Sequence, residues 1–125
     1  MSSHSIIRIP HGLPIPLSRA VIAGGFAFLS GQRAIDEAGR IVGEDVRTQT
    51  RVVLEKIAES LAVCGLGMND VVRTTVWLSD LQDFAEFNDE YRRHFIGGYP
   101  SRSTVEARLY AGAKIEIEVQ ACLRN

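Results

Sequence analysis

Between Lys114 and Ala121 the chain reads KIEIEVQA, and this stretch restricts the fold more than any other. Ile115, Ile117 and Val119 alternate with Glu116, Glu118 and Gln120. That two-residue period belongs to a strand with one face on a core and the other on polar surroundings. The preceding run, YPSRSTVEARL, reads as a second extended segment, joined to the first by a turn at Ala111-Gly112-Ala113. In it Arg102, Thr104, Glu106 and Arg108 share one side, while Ser103, Val105, Ala107 and Leu109 share the other. The two segments are expected to lie as adjacent strands, with a guanidinium near one end and carboxylates beside it. An arginine grips a planar carboxylate through two parallel hydrogen bonds, and a carboxylate nearby orients or deprotonates water. The same pattern also describes a solvated sheet edge with surface ion pairs, which contribute little.

A length of 125 residues suits one domain, residues 1–125, around one core. The formal net charge of −1 gives no electrostatic case for nucleic acid. Charges are dispersed, so neither a polybasic membrane patch nor an acidic tail is expected. No apolar run approaches the roughly 20 residues of a membrane span, and the start, MSSHSIIRIPHG, does not read as a secretory signal. Cys64 and Cys122 lack CxxC or Cys/His spacing, so two buried, reduced and unpaired thiols in a cytoplasmic protein are expected. His4, His11 and His94 are scattered without acidic or cysteine partners, which argues against a metal site. No nucleophile elbow, P-loop or dinucleotide fingerprint occurs.

Taken in order, Ser5 to Ile9 is a short strand, and the proline-punctuated GLPIPLS after it reads as a loop. Arg19 to Ala23 and Phe26 to Ser30 flank Gly24-Gly25, a two-residue hairpin signal. Gln32 to Ile35 leads into a turn at Asp36 to Gly39, with Arg40 to Val42 as a possible return strand. Val46, Val53, Leu54, Ile57, Leu61 and Cys64 mark a helix capped by Asp45 and stopped at Gly65. Val71 to Leu78 alternates again, with Val72, Thr74, Val76 and Leu78 on one face. A second helix begins at a capping-box pattern, Asp83 and Glu86, and stops at Gly97-Gly98, with Phe84, Phe87, Tyr91 and Phe95 as its apolar stripe. Asn88 interrupts that stripe. A buried amide needs hydrogen bonds, so Asn88 either ties down a loop or faces a site.

The runs YPSRSTVEARL and KIEIEVQA, with FLSGQ at 28–32 and DVVRTTVWLSDLQDFAEFNDEY at 70–91, resemble the RidA/YjgF family of reactive-intermediate (enamine/imine) deaminases in order and spacing. The resemblance implies an α+β, chorismate-mutase-like subunit: a mixed β-sheet with two helices packed on one face. It also implies a homotrimer with a ligand site at each subunit interface, and no cofactor. Arg102 matches the arginine that binds the substrate carboxylate, and Glu116 the acid credited with positioning the attacking water. Ser30 and Gly31 match the backbone segment bordering the pocket, and Asn88 matches an amide beside it. Three features depart from the family pattern. Leu17 stands where a pocket tyrosine is common, Thr104 where a cysteine is common, and VEARL is one residue shorter than the usual VEVARL.

The activity implied is hydrolysis of small 2-imino or 2-enamino acids to 2-oxo acids and ammonia. Alternatives are a deaminase of a larger catabolic enamine of the 2-aminomuconate type, or a non-catalytic protein sensing a small carboxylate through Arg102. An endoribonuclease, an activity associated with some relatives, fits the near-neutral charge least.

Overall fold

The computed structural model describes residues 5–124. Its sheet comprises β1 (Ile7–Pro10), β2 (Ser18–Ala23), β3 (Phe26–Arg33), β4 (Val71–Leu78), β5 (Ser101–Glu106) and β6 (Ile115–Cys122). They lie in the order β1-β2-β3-β6-β4-β5. All neighbours run antiparallel except β4 and β5, which are parallel. Helices α1 (Val46–Val63) and α2 (Phe84–Arg92) cover one face. The architecture is therefore the mixed α+β sheet with two helices on one face that the resemblance implied.

Local chemistry explains most boundaries. Gly24 and Gly25 take φ of 59° and 87°, the positive values a two-residue hairpin needs. The Asp45 carboxylate accepts the Thr48 N–H at 2.7 Å and opens α1. Gly65, at φ 75°, ends that helix. From α1, Val46, Val53, Leu54, Ile57 and Leu61 pack on the inward row of the sheet, Ile115, Ile117, Val119, Val76 and Leu78, all buried. Cys64 packs beside this core half-buried. Polar groups on that side are paired: Gln49 donates to the Gly43 carbonyl and accepts the Lys114 N–H, while Arg19 donates to Ser60.

Several expectations need correction. β5 and β6 are not neighbours, because β4 lies between them. The Ala107 N–H bonds the Leu78 carbonyl and the Ser79 N–H bonds the Lys114 carbonyl, so the chain crosses the end of β4 to reach its other side. The turn at Ala111-Gly112 makes that crossing with φ of 61° and 73°. Arg40 to Val42 forms only a single bridge, Ile35 to Ile41. Val72 is exposed rather than buried, because a bulge between Val71 and Arg73 sets two residues of β4 against one of β6. Asp83 makes no side-chain cap. A 3₁₀ turn, Leu81–Asp83, precedes α2, and Asp80 caps that turn through the Gln82 N–H. α2 also ends at Arg92, short of Gly97, although Phe95 still reaches the core. His94 has an acidic partner after all, Glu90 one helical turn earlier, at 2.8 Å; His4 lies outside the described residues.

Among the described residues no helix is long and apolar enough to cross a membrane. Cys64 and Cys122 are both free but not buried as expected: Cys64 is half-buried at the end of α1, and Cys122 is exposed because it falls on the polar parity of β6.

Candidate active site

Strand register decides where each charged group points. Thr74 of β4 pairs with Arg102 on one side and Val119 on the other, so all three face the helices. Trp77 pairs with Val105 and Glu116, which therefore face away from them. Arg102 and Glu116 of one chain thus lie on opposite faces of the sheet. The expected juxtaposition of the two groups does not occur within one subunit, and β4 is the physical reason.

Arg102 sits half-buried on the edge strand β5, under α2. Its guanidinium lies over the rings of Tyr91, Phe87 and Phe84, at 4.9, 5.1 and 5.6 Å from their centroids. Such stacking orients the planar fork and suits arginine better than lysine. Thr74 fixes the innermost ring through a 2.8 Å hydrogen bond to the Tyr91 hydroxyl. Burial pushes the Tyr91 phenol above its ordinary pKa, with the Thr74 hydrogen bond and the charge of Arg102 pulling the other way. Among the described residues no carboxylate pairs with Arg102. A cavity of about 280 Å³ opens beside it, lined by Asn88, Tyr91, Arg92, Tyr99, Pro100 and Arg102. Asn88 is half-buried and makes no side-chain hydrogen bond among the described residues, so it ties down no loop there. Thr104, two residues along β5 on the same face, has a buried hydroxyl without a hydrogen-bond partner.

Glu116 belongs to a second cluster. A Cβ built on Gly31 would collide with the Glu116 carboxylate, whose Cδ and Cγ lie at 3.2 and 3.3 Å. Gly31 sits where β3 gains a residue against β6, between the Leu29 and Gln32 pairs. The bulge and the missing side chain together let the carboxylate lie across the strand. Arg33 approaches Glu116 at 3.8 Å, and its guanidinium lies 5.1 Å from the centre of the Tyr110 ring. Ser30 donates to the Ser18 carbonyl at 2.7 Å, so its hydroxyl is spent on the hairpin and its backbone borders the cluster. Leu17, at the end of the proline loop, is 46% exposed.

One chain therefore brings Asn88 and Arg102 together, with Thr104 on the same face, and brings Gly31 and Glu116 together beside Ser30. The sequence reading missed Arg92, Tyr99, Pro100 and Arg33. Arg92 was reachable in principle, since it follows Asn88 by four residues on a helix. A larger cleft of about 550 Å³, between Ser79, Glu106, Arg108 and Gly112, contains none of the expected site residues.

A mixed sheet with two helices on one face, an edge-strand arginine without a carboxylate partner among the described residues and an acid on the bare face describe an α+β subunit of one defined class. Residues 13–123 match the endoribonuclease L-PSP family model. The chain is 40% identical over 113 residues to the 2-iminobutanoate/2-iminopropanoate deaminase of Salmonella typhimurium, covering 87% of this chain and 88% of that protein. It is 43% identical over 110 residues to Reactive Intermediate Deaminase A, chloroplastic, of Arabidopsis thaliana, covering 86% and 59%. Among solved structures, E. coli TdcF with bound serine superposes with a TM-score of 0.82 at 33% identity, covering 99% and 97%. The chain belongs to the endoribonuclease L-PSP family, which is the RidA/YjgF family its motifs resemble.

Proposed function

We propose that this protein hydrolyses small, reactive 2-imino or 2-enamino acids to 2-oxo acids and ammonia, as a homotrimer with each site shared between two subunits. The observation that carries the reading is the Arg102 guanidinium, stacked on three rings beside a cavity and lacking a carboxylate partner among the described residues. Such a group is prepared for an anionic ligand, and a relative named 2-iminobutanoate/2-iminopropanoate deaminase supplies the matching substrate class, with a second named reactive intermediate deaminase beside it. Serine bound in TdcF supports a small carboxylate as the ligand type.

In the mechanism, Arg102 holds the substrate carboxylate and fixes the imine carbon, with Asn88 at the cavity wall. Glu116 of a neighbouring subunit takes a proton from water as its oxygen bonds that carbon. The proton then passes to nitrogen and gives a carbinolamine. Glu116 next takes the hydroxyl proton and delivers it to nitrogen as the C–O bond becomes C=O and the C–N bond breaks with its electron pair, so ammonia leaves and the carboxylate is restored. General acid–base help of this kind is worth roughly 10²–10⁴-fold, enough for an electrophile that is already activated. Assigning Arg102 and Glu116 to two subunits follows from their opposite faces in one. Leu17 and Thr104 tune the substrate in this scheme, and neither carries the chemistry. The cytoplasm is the compartment we propose, on the two free thiols.

The same opposition of faces favours one second reading, a carboxylate sensor that uses Arg102 and never assembles the acid. An endoribonuclease comes last, since a net charge of −1 supplies no basic track. The test is ammonia release from imines generated in place by an amino-acid oxidase. It is run on wild type, on Arg102→Ala, on Glu116→Gln and on a refolded equal mixture of the two variants. Each variant alone should be inactive, while the mixture regains about a quarter of wild-type activity, as head-to-tail rings with shared sites require. No recovery from a mixture shown to contain hybrid oligomers sinks the shared site. A wild type that releases no ammonia sinks the enzyme.

A further inference from the structure

The cavity beside Arg102 holds a second guanidinium that the proposed chemistry does not use. Arg92 closes α2 one turn after Asn88, and both line the cavity with Tyr91, Tyr99, Pro100 and Arg102. None of these six lining residues is acidic. Arg92 forms no ion pair among the described residues, whereas its neighbour Arg93 reaches Glu90 at 3.9 Å and Arg47 reaches Asp89 at 3.5 Å. The two acids nearest Arg92 in the helix, Asp89 and Glu90, are thus engaged elsewhere, and two like charges are left on one small cavity. Like charges in a partly dehydrated space repel unless anionic groups separate them. The two forks also differ in depth and parentage. Arg102 is half-buried on a strand and held by stacking, while Arg92 is exposed on a helix end and lines the cavity together with Tyr99. Guanidinium forks held on separate elements suit two separate anionic groups better than a single compact one.

We infer that this pocket takes a dicarboxylate: a short 2-imino or 2-enamino acid whose carboxylate beside the reacting carbon binds Arg102 and whose distal carboxylate binds Arg92. The reaction assigned to that ligand rests on the deaminase reading above, but the pairing of two carboxylates with two arginines does not. Tyr99 and Asn88 add neutral donors to the cavity wall, and a cavity of about 280 Å³ limits the ligand to a short chain.

The test uses the intact protein and two non-reacting 2-oxo acids of equal chain length, 2-oxopentanoate and 2-oxoglutarate, titrated by calorimetry. They differ only in the terminal carboxylate. 2-Oxoglutarate should bind about ten- to a hundredfold more tightly, the range for charge-assisted hydrogen bonds. Arg92→Gln should erase that ratio, and Arg102→Ala should weaken both acids. Equal binding of the two acids, an equal loss for both in Arg92→Gln, or no binding of either overturns the inference. Inorganic phosphate binding more tightly than 2-oxoglutarate also overturns it and marks a single-anion site. The same samples are assayed on the imines formed in place from norvaline and glutamate. If neither imine is hydrolysed while 2-oxoglutarate keeps its Arg92-dependent advantage, the dicarboxylate site stands and the deaminase reading falls.

Discussion

The two faces of the sheet come from the same strands yet form opposite environments. On the covered face Ile115, Ile117, Val119, Val76 and Leu78 are sealed under α1 and α2, and the buried Thr74 hydroxyl is paired with Tyr91. On the bare face stand Glu116, Arg33, Trp77 and Phe28, the last 40% exposed. The apolar row of the covered face is sealed within one chain, whereas the bare face carries a positioned acid and exposed aromatics that α1 and α2 do not cover. Arg102 belongs to the first and Glu116 to the second. The lesson is that a strand pattern identifies both groups while the sheet between them prevents a single subunit from joining them.

The strongest way to break this comparison is at Arg102. Arg102→Ala removes a charge-assisted contact in a partly buried site, and a loss of about 2–5 kcal/mol corresponds to roughly 30-fold to several thousand-fold in kcat/KM for imine hydrolysis. Arg102→Lys should restore little, because a point charge does not reproduce the fork. Melting temperature and mass on the same sample should stay close to wild type. If they fall while specific activity survives, Arg102 is a structural tie.

The core tests the other side. Ile117→Ala, fully buried between sheet and helices, should cost about 2–5 kcal/mol in chemical denaturation. Phe28→Ser on the bare face should move the stability of the chain itself by only about 0.5 kcal/mol. Its effect should appear as a smaller mass in light scattering, where loss of assembly is read directly. Equal destabilisation by the two substitutions, with mass unchanged, would mean the bare face belongs to the core.

Gly31→Ala sharpens the contrast at the acid. A Cβ there displaces the Glu116 carboxylate. Gly31 is not among the positive-φ glycines, so the backbone accepts the new side chain. Turnover should fall by up to about 10²-fold through misplacement of the acid, with little change in KM or melting temperature. Unchanged turnover would remove Glu116 from the mechanism.

The smallest effect concerns pH. The carboxylates of Asp36, Asp45 and Asp70 are held below their ordinary value of 3.8, chiefly by the Arg40 N–H, the Thr48 N–H and the Arg124 guanidinium respectively. A depressed folded pKa contributes stability above the unfolded value, lost as pH falls through the folded one. Melting temperature should therefore hold down to the ordinary carboxylate range and decline below it. Asp45→Asn should shallow that decline, because the amide still caps α1 but no longer titrates.

Much of this fold was legible because its signals are local. Asp45 and Gly65 bound α1, Gly24-Gly25 makes the first hairpin, and the KIEIEVQ alternation survives as β6 with Ile115, Ile117 and Val119 inward. Where local signals competed, the reading slipped. Asp83 leaves α2 without a side-chain cap while Asp80 caps the 3₁₀ turn before it, and a bulge turned Val72 outward. The residues expected at the site exist as two clusters rather than one, and Arg92 escaped notice because a charge at a helix end ordinarily reads as solvated.

By itself the sequence determined which segments alternate, which turns demand glycine, and which side chains could bind a carboxylate or move a proton, because period and turn chemistry act over a few residues. Strand order is a different kind of fact. Only the tertiary structure set β4 between β5 and β6, stacked Phe84, Phe87 and Tyr91 against Arg102, and laid Glu116 over Gly31 on the opposite face. Those arrangements depend on pairings between residues distant in the chain, chosen by the total burial of one sheet face under two helices, and no local pattern encodes them.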